Sequence, residues 1–430
     1  MPVWLQEEMI ALAHVEPELL SAYGDTRQYS HYGVPNVPEP GQLYRQLVEA
    51  VGRAPCSHVM VLPWLVPGGA DRGALHHLRA WTEVVPRDQI LVITTEPAAS
   101  PWRDRIPDGL RLVEFGLIAG SISFDAQVQL LTRLLVQLQP QVVHNINSRL
   151  LWQAIRVCGL ALRQKSRLYA SLFCDDYIHN MVPVGHARNF LRDCHPHLVT
   201  VFCDNSIYPK IWANDLGLPL SLFTLMPFPY DGPAIAARQS TRTLGQPRVL
   251  WAGRFDYQKR PDVLLAVARA LPDWAFDVHG RVVLGAENTT LEELSRLPNV
   301  TMHGEFKQFS DIVRPAHVAY LHTAAWEGMP TILMDAAAAG LPIVASPVGG
   351  IVDFVDPEGL VAAVDDVQGY VQRLRDLGND SRASALRVAS QDSQMAADRS
   401  WSRFLARLDA VEGYAAPENS RFETSFEAST

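Results

Sequence analysis

Residues 323–355 read TAAWEGMPTILMDAAAAGLPIVASPVGGIVDFV, and this stretch decides the fold. Pro330 suits the first position of a helix, where its missing N–H would have no partner anyway. Gly340 suits the position just past a helix end, where left-handed backbone is common. The spacing predicts a helix over about 330–339, followed by a short apolar strand, PIVAS. Amides at 329–331 have no partner within such a helix, and with the helix dipole they favour an anionic ligand. Glu327 lies in the preceding loop. Asp335 lies about five residues into the helix, roughly 7 Å along its axis. Two acceptor-only carboxylates at that separation could each grip vicinal hydroxyls, one pair on a sugar and one on a ribose. An ordinary nucleotide-fold helix with an acid near its start accounts for the same residues.

Working outward, short apolar runs alternate with helical patterns on both sides. Downstream of residue 247, RVLWAGR, AFDVHG, VTMHG and HVAYLHT read as strands and DVLLAVARAL as a helix. Upstream of residue 228, the strands are HVMVLPWL, ILVITT, QPQVVHNI, RLYASLFC and LVTVFCD, with helices at ALHHLRAW, 124–138 and 150–163. Such alternation argues for α/β architecture with doubly wound parallel sheets. The expected plan is two Rossmann-like domains facing a cleft, with a short N-terminal extension. The extension is 1–55, the first domain 56–228 and the second 248–395. Residues 229–247 form the linker, because PFPYDGPAIAARQSTRTLGQP is rich in turn formers and holds no long apolar run. A closing helix occupies 396–412 and a flexible tail 413–430. In 1–55, helical patterns at about 3–14 and 42–51 flank VPNVPEP. That segment reads either as a small cap or as a link to an upstream domain of a longer polypeptide. A ligand belongs in the cleft, at the carboxyl ends of the strands.

The 430 residues fit two or three domains. A chain 48% hydrophobic and 19% charged is neither disordered nor fibrous. The net charge, 37 − 46 = −9, disfavours nucleic acid as the main partner. Five cysteines, irregularly spaced and without C-x-x-C, argue against a disulfide framework or zinc site and for a reducing compartment. No apolar run reaches the roughly 18 residues a membrane span needs. The opening MPVWLQEEMI is acidic, unlike a signal peptide. The expected location is the cytoplasm.

Seven residues separate Glu327 from Asp335, with GLPIVAS and GGI after them. This pattern resembles the signature of family-4 retaining glycosyltransferases of GT-B fold, which carry two Glu residues in this setting. VLWAGRFDYQKRPDVLLAVARAL resembles the family's G-R…K strand, loop and helix. PWLVPGGADRGALHHL is similar to its glycine-rich first loop. SWSRFLARL resembles its closing helix, which crosses back to the first domain. The resemblance covers about residues 58–411.

The resemblance implies roles for individual residues. Arg254 and Lys259 would hold a donor diphosphate, a task suited to a guanidinium fork and a flexible ammonium. Gly68, Gly69 and Gly253 would line the donor side, Gly68 and Gly69 letting amides approach the diphosphate; a plain turn is the alternative for that pair. Glu327 would bind donor-sugar hydroxyls, with the backbone of Gly328, Met329, Pro330 and Thr331 reaching sugar or phosphate. Asp335 would take the ribose in place of the family's longer Glu. Arg281 and Phe306 are nearest to the nucleobase, with loop packing as the alternative. Many relatives carry a His-Asp pair after the strand matching YASLFC. Here Cys174-Asp175 stands there, followed by Asp176, so Asp175 and Asp176 join Arg254, Lys259 and Glu327 as the catalytic set. His179 or Asp176 would substitute for the missing His. Cys174 itself suits a small buried residue better than a nucleophile. His144 and Asn145 end a strand toward the cleft, with a core or loop role as the alternative.

The implied reaction moves a sugar from a nucleoside-diphosphate sugar to a glycan or lipid-linked glycan, in bacterial O-antigen, capsule or exopolysaccharide synthesis. It needs no metal and no cofactor besides the donor; Asp175-Asp176 and Asp365-Asp366 are adjacent pairs, not D-x-D. Two rivals stay open: a degenerate, non-catalytic GT-B domain acting as a scaffold, and another GT-B enzyme such as a nucleotide-sugar epimerase. Partnership within a larger polysaccharide-assembly polypeptide or complex fits the same setting. Arg149, Arg156 and Arg163 recur every seven residues with Trp152 nearby. They read as a peripheral inner-membrane contact or as the solvated side of a helix.

Overall fold

The computed structural model describes residues 3–16, 38–178, 181–232, 245–282 and 288–415. Residues 1–46 and 47–430 form separate compact units. The first holds the helix Val3–Val15. A helix Pro38–Val51 starts four residues before the expected 42. Its prolines, 38 and 40, fall in the first turn, where a missing N–H costs no helix bond. The start of the Pro-rich stretch, 34–37, lies outside the described residues.

The larger unit contains two parallel sheets. In the first, β1 (His58–Leu62), β2 (Ile90–Thr94), β3 (Arg111–Glu114), β4 (Val142–Ile146) and β5 (Arg167–Ser171) are joined by β8 (Leu198–Cys203) and β9 (Phe223–Leu225). Their order is β3-β2-β1-β4-β5-β8-β9. The second has β10 (Arg248–Ala252), β11 (Ala275–His279), β12 (Val300–Gly304), β13 (His317–His322) and β14 (Ile343–Ala345), ordered β12-β11-β10-β13-β14. A small antiparallel hairpin pairs β6 (Asp176–Ile178) with β7 (Val182–Val184). The central strands HVMVL, ILVIT and VVHNI are buried at every position. Parallel strands covered by helices on both faces read as continuous apolar runs for this reason. In both sheets the strand order reverses beside the first strand, between β1 and β4 and between β10 and β13. Loops leaving the carboxyl ends there diverge and open a crevice.

The closing helix, Trp401–Asp409, sends Phe404 and Leu408 into the core beneath the first sheet, among Met60, Trp81 and Tyr169. The expected tail begins differently. Residues 416–430 lie outside the described residues, but Tyr414 is fully buried. Its hydroxyl sits 2.7 Å from both His77 Nδ1 and His144 Nδ1, and its carbonyl 3.2 Å from His58 Nε2. Tyr414 is therefore part of the core, because one tyrosine satisfies three buried imidazoles.

Those imidazoles make the fold acid-sensitive. Burial pushes His58 down to about 4 and His77 to about 3, and holds His144 well below its ordinary value. A lowered folded pKa contributes stability that is complete above the unfolded value of about 6.5 and lost as pH falls. Urea unfolding should show stability declining from pH 6.5 toward pH 4. Tyr414→Phe should cost about 1–3 kcal/mol at pH 7, since two buried imidazoles lose a partner. Equal stability of variant and wild type would contradict this arrangement. Among the described residues no helix is long and apolar enough to cross a membrane.

Candidate functional site

The loops after β1, β4, β10 and β13 border one cleft of about 1310 Å³. Gly68 and Gly69 line it from the first sheet's side, and Gly253, Arg254, Lys259 and Arg281 from the second. Glu327, Gly328, Met329, Pro330 and Thr331 complete the second wall, and Asp176 joins the first. The two walls approach at the helix starts: a Cβ on Gly69 would stand 3.6 Å from Thr331 Cγ2.

Glu327 is the electrostatic centre. It is 8% exposed and forms an ion pair with Lys259 Nζ, while His322 Nε2 lies 3.4 Å away. Burial raises its carboxyl, but the Lys259 ammonium and His322 outweigh that and bring it down to about 2. The carboxylate thus stays ionised at any physiological pH. Surrounding bonds fix both partners. Asp256 Oδ1 accepts from the Lys259 amide at 3.0 Å, and Thr323 Oγ1 donates to the Lys259 carbonyl at 2.7 Å. Gln258 Nε2 donates to the Trp326 carbonyl at 2.9 Å, and the Ala325 amide to the Gln258 carbonyl at 2.7 Å. These bonds stitch the loop after β10 to the loop after β13. Arg254 is half-exposed and oriented by Gln258 Oε1 at 2.7 Å and Asp256 Oδ2 at 3.1 Å. Gly349 sits at φ +49°, and a Cβ there would overlap the Glu327 carbonyl oxygen. The glycine pair after β14 therefore lets that loop brace the backbone of Glu327.

The helix itself runs Thr331–Ala338, with Pro330 as its N-cap and Ala339 as its C-cap. Pro330 thus precedes the helix instead of opening it. Gly340 follows at φ +69°, as its place past the helix end requires. The Met329 amide is not free: it donates to Asp204 Oδ2 at 2.9 Å.

Several expected site residues lie elsewhere. Asp175 is fully buried. Its Oδ2 accepts from Arg188 Nε at 2.9 Å and Nη2 at 2.7 Å, and its Oδ1 from Trp212 Nε1 at 2.8 Å. With both oxygens used and no access to the cleft, it holds structure together. Asp335 is not among the residues lining the cleft and lies 3.6 Å from Arg72 Nη1 of the helix Gly69–Val84. Phe306 packs against the second sheet's core, its ring centre 6.1 Å from that of His279. His144 is core, and Asn145 Oδ1 accepts from the Ser148 amide at 3.0 Å to shape the turn after β4. His179 lies outside the described residues. Cys174 lines the cleft as a thiol, its pKa raised by burial and by Glu327 and Asp176. Trp152 is fully buried, so it presents no membrane face. Arg149 and Arg156 border the cleft, whereas Arg163 donates to the Pro196 carbonyl at 2.8 Å.

Sequence reasoning missed Asp204 and His322, and noted Asp71 as the acidic residue after the glycine pair without giving it a role. Asp204 directly follows β8, His322 ends β13, and Asp71 stands in the first turn after the glycine pair. A polar residue at the carboxyl end of an apolar strand was the available signal for the first two.

Residues 246–380 match the family model described as Glycosyl transferases group 1. Over 150 residues the chain is 25% identical to the O-antigen biosynthesis glycosyltransferase WbnH of Escherichia coli, covering 34% of this chain and 43% of that protein. Over 133 residues it is 28% identical to the lipopolysaccharide core biosynthesis mannosyltransferase LpsB of Rhizobium meliloti, covering 28% of this chain and 38% of that one. The chain thus matches less than half the length of these relatives. Among solved structures, Anabaena HepE in complex with UDP and glucose superposes with a TM-score of 0.63 at 14% identity, covering 82% of this chain and 98% of that one. The apo lipopolysaccharide outer core galactosyltransferase WaaB gives 0.60 at 14% identity, with the same coverages of 82% and 98%. The fold is GT-B, and the resemblance to group 1 glycosyltransferases holds over the second sheet.

Proposed function

We propose that the chain is a retaining glycosyltransferase moving a sugar from a nucleoside-diphosphate donor to a glycan or lipid-linked glycan. The observation that carries this reading is the Lys259–Glu327 pair, fixed at the switch point of the second sheet and facing Gly68 and Gly69 across the cleft. Arg254 and Lys259 hold the diphosphate. Together with the amides at the start of Thr331–Ala338 they stabilise the charge that grows on the leaving group. Glu327, kept ionised, accepts hydrogen bonds from donor-sugar hydroxyls and orients the sugar. No side chain in the cleft is assigned as a nucleophile; the half-buried Cys174 thiol has a raised pKa and suits that role poorly. The acceptor hydroxyl attacks the anomeric carbon on the face the phosphate leaves, and a phosphate oxygen takes its proton. The acceptor approaches from the first-sheet wall, where Asp176, Arg149 and Arg156 stand.

UDP is the first nucleotide to try, because the HepE structure holds it. O-antigen or lipopolysaccharide core assembly is the setting, in line with the named relatives. The test is incubation with UDP-glucose, UDP-galactose and UDP-N-acetylglucosamine, with and without lipid-linked oligosaccharide acceptors. The expected result is acceptor-dependent UDP release and a new glycoside with retained anomeric configuration. Conversion of the donor to its epimer without transfer would overturn this reading in favour of an epimerase. Nucleotide binding without any turnover would mark a scaffold.

A further inference from the structure

We propose that nucleoside-diphosphate binding in the cleft is coupled to proton uptake at Asp204. This rests on the donor-site reading above. Asp204 follows β8 of the first sheet, borders the cleft and is only 4% exposed. Its Oδ2 accepts from the Met329 amide of the opposite wall at 2.9 Å, and its Oδ1 from Asn205 Nδ2 at 2.7 Å. A carboxyl of the protein therefore already occupies a backbone amide of the loop that leads through Pro330 into Thr331–Ala338, on the cleft wall to which a donor phosphate would come.

Two negative groups then compete for one patch of positive potential. Of the groups facing Asp204, Arg399 is the cation and is 5% exposed, the Cys174 thiol lies on the cleft side, and the buried Cys203 thiol lies next to it on β8, its pKa raised by burial and by Asp204. Lys259 pairs with Glu327 on the second-sheet wall and is not among the groups that face Asp204. Burial pushes the Asp204 carboxyl up to about 7, against the Met329 and Asn205 hydrogen bonds and the attraction of Arg399. It thus stands near half-titration at neutral pH. Negative charge brought to the same wall disfavours the ionised carboxylate and raises its titration midpoint further. A bound diphosphate therefore drives Asp204 to its neutral form. The other acids on the wall behave differently: Glu327 stays ionised beside Lys259, and Asp71, raised to about 6 by burial, bonds the Val66 amide on its own loop at 3.1 Å.

The experiment is titration calorimetry of UDP at pH 8, in two buffers of different ionisation enthalpy, on wild type and Asp204→Asn. UDP itself is fully ionised there, since a phosphate's second pKa is about 6. Wild type should take up a fraction of a proton approaching one per UDP bound, and the variant none. Between pH 7.5 and 9 the wild-type affinity should fall by up to tenfold per pH unit, and that of the variant by less than about twofold. Absence of uptake in wild type overturns the proposal, and that measurement stands even if the variant misfolds. Equal uptake in both proteins also overturns it and assigns the proton to Asp71. Failure of both to bind any nucleoside diphosphate overturns the donor-site reading itself, and this coupling with it.

Discussion

Glu327→Gln should lower turnover by about 10²–10³-fold while leaving UDP affinity within a few-fold of wild type or tighter. In the proposed reaction the carboxylate is the acceptor-only group that meets the donor sugar, and it keeps its charge because Lys259 and His322 offset its burial. An amide of the same shape offers donors where the sugar hydroxyls donate, and it cannot balance charge developing at the anomeric carbon. Losses of this size follow the removal of one preorganised polar group from a transition state. The affinity moves the other way because Lys259, no longer paired with a carboxylate, is freer to meet the diphosphate. Steady-state turnover of the donor together with UDP titration separates the two effects. A variant with unchanged turnover, or with UDP binding lost in proportion, would remove Glu327 from the sugar-binding position.

Asp175→Ala should destabilise the fold by about 3–5 kcal/mol, the range for breaking one partner out of a buried ion pair. It would leave the Arg188 guanidinium and the fully buried Trp212 Nε1 without their carboxylate. Asp215, 2.8 Å from Arg188 Nη1, compensates only in part, because it is more exposed. Asp175→Asn keeps the shape and should cost less. At low temperature it should retain most of its activity, since the side chain does not reach the cleft. The urea midpoint of each variant, set against its turnover at 10 °C, decides the matter. Normal stability with lost turnover would return Asp175 to the catalytic set.

Asp175 also shows where a sequence stops being readable. Two adjacent acids end the same apolar strand region, and one faces Arg188 while the other faces the cleft; alternation along an extended chain sends neighbours to opposite sides. Nothing in the spelling of Cys174-Asp175-Asp176 says which is which. Asp335 was placed by analogy with a longer Glu, and its carboxylate meets Arg72 from the facing helix, a contact the sequence did not announce. Such a contact depends on how two domains sit together, which local spacing does not encode. The central strands were legible because both their faces are covered. RLVE at β3 was not, since as an edge strand it is only partly buried, and FTL at β9 is three residues long. The helix Ser381–Asp398 escaped notice because the residues it buries include Arg387 and Gln391, and its apolar stripe is weak. Arg254, Lys259, Glu327 and the glycine pair at 68–69 were singled out by the resemblance of their motifs, and the structure brings all of them to one cleft at the carboxyl ends of the strands.

The central claim is that Lys259 and its neighbours form a diphosphate site. Titration calorimetry of UDP and GDP on wild type and Lys259→Ala tests it most directly. Loss of one charge-assisted contact, about 1.5–3 kcal/mol, corresponds to roughly 10–150-fold in affinity. The account predicts micromolar binding of one of the two nucleotides to wild type, weakened by at least about tenfold in the variant. Binding of neither nucleotide, or binding that Lys259→Ala leaves unchanged, would contradict it.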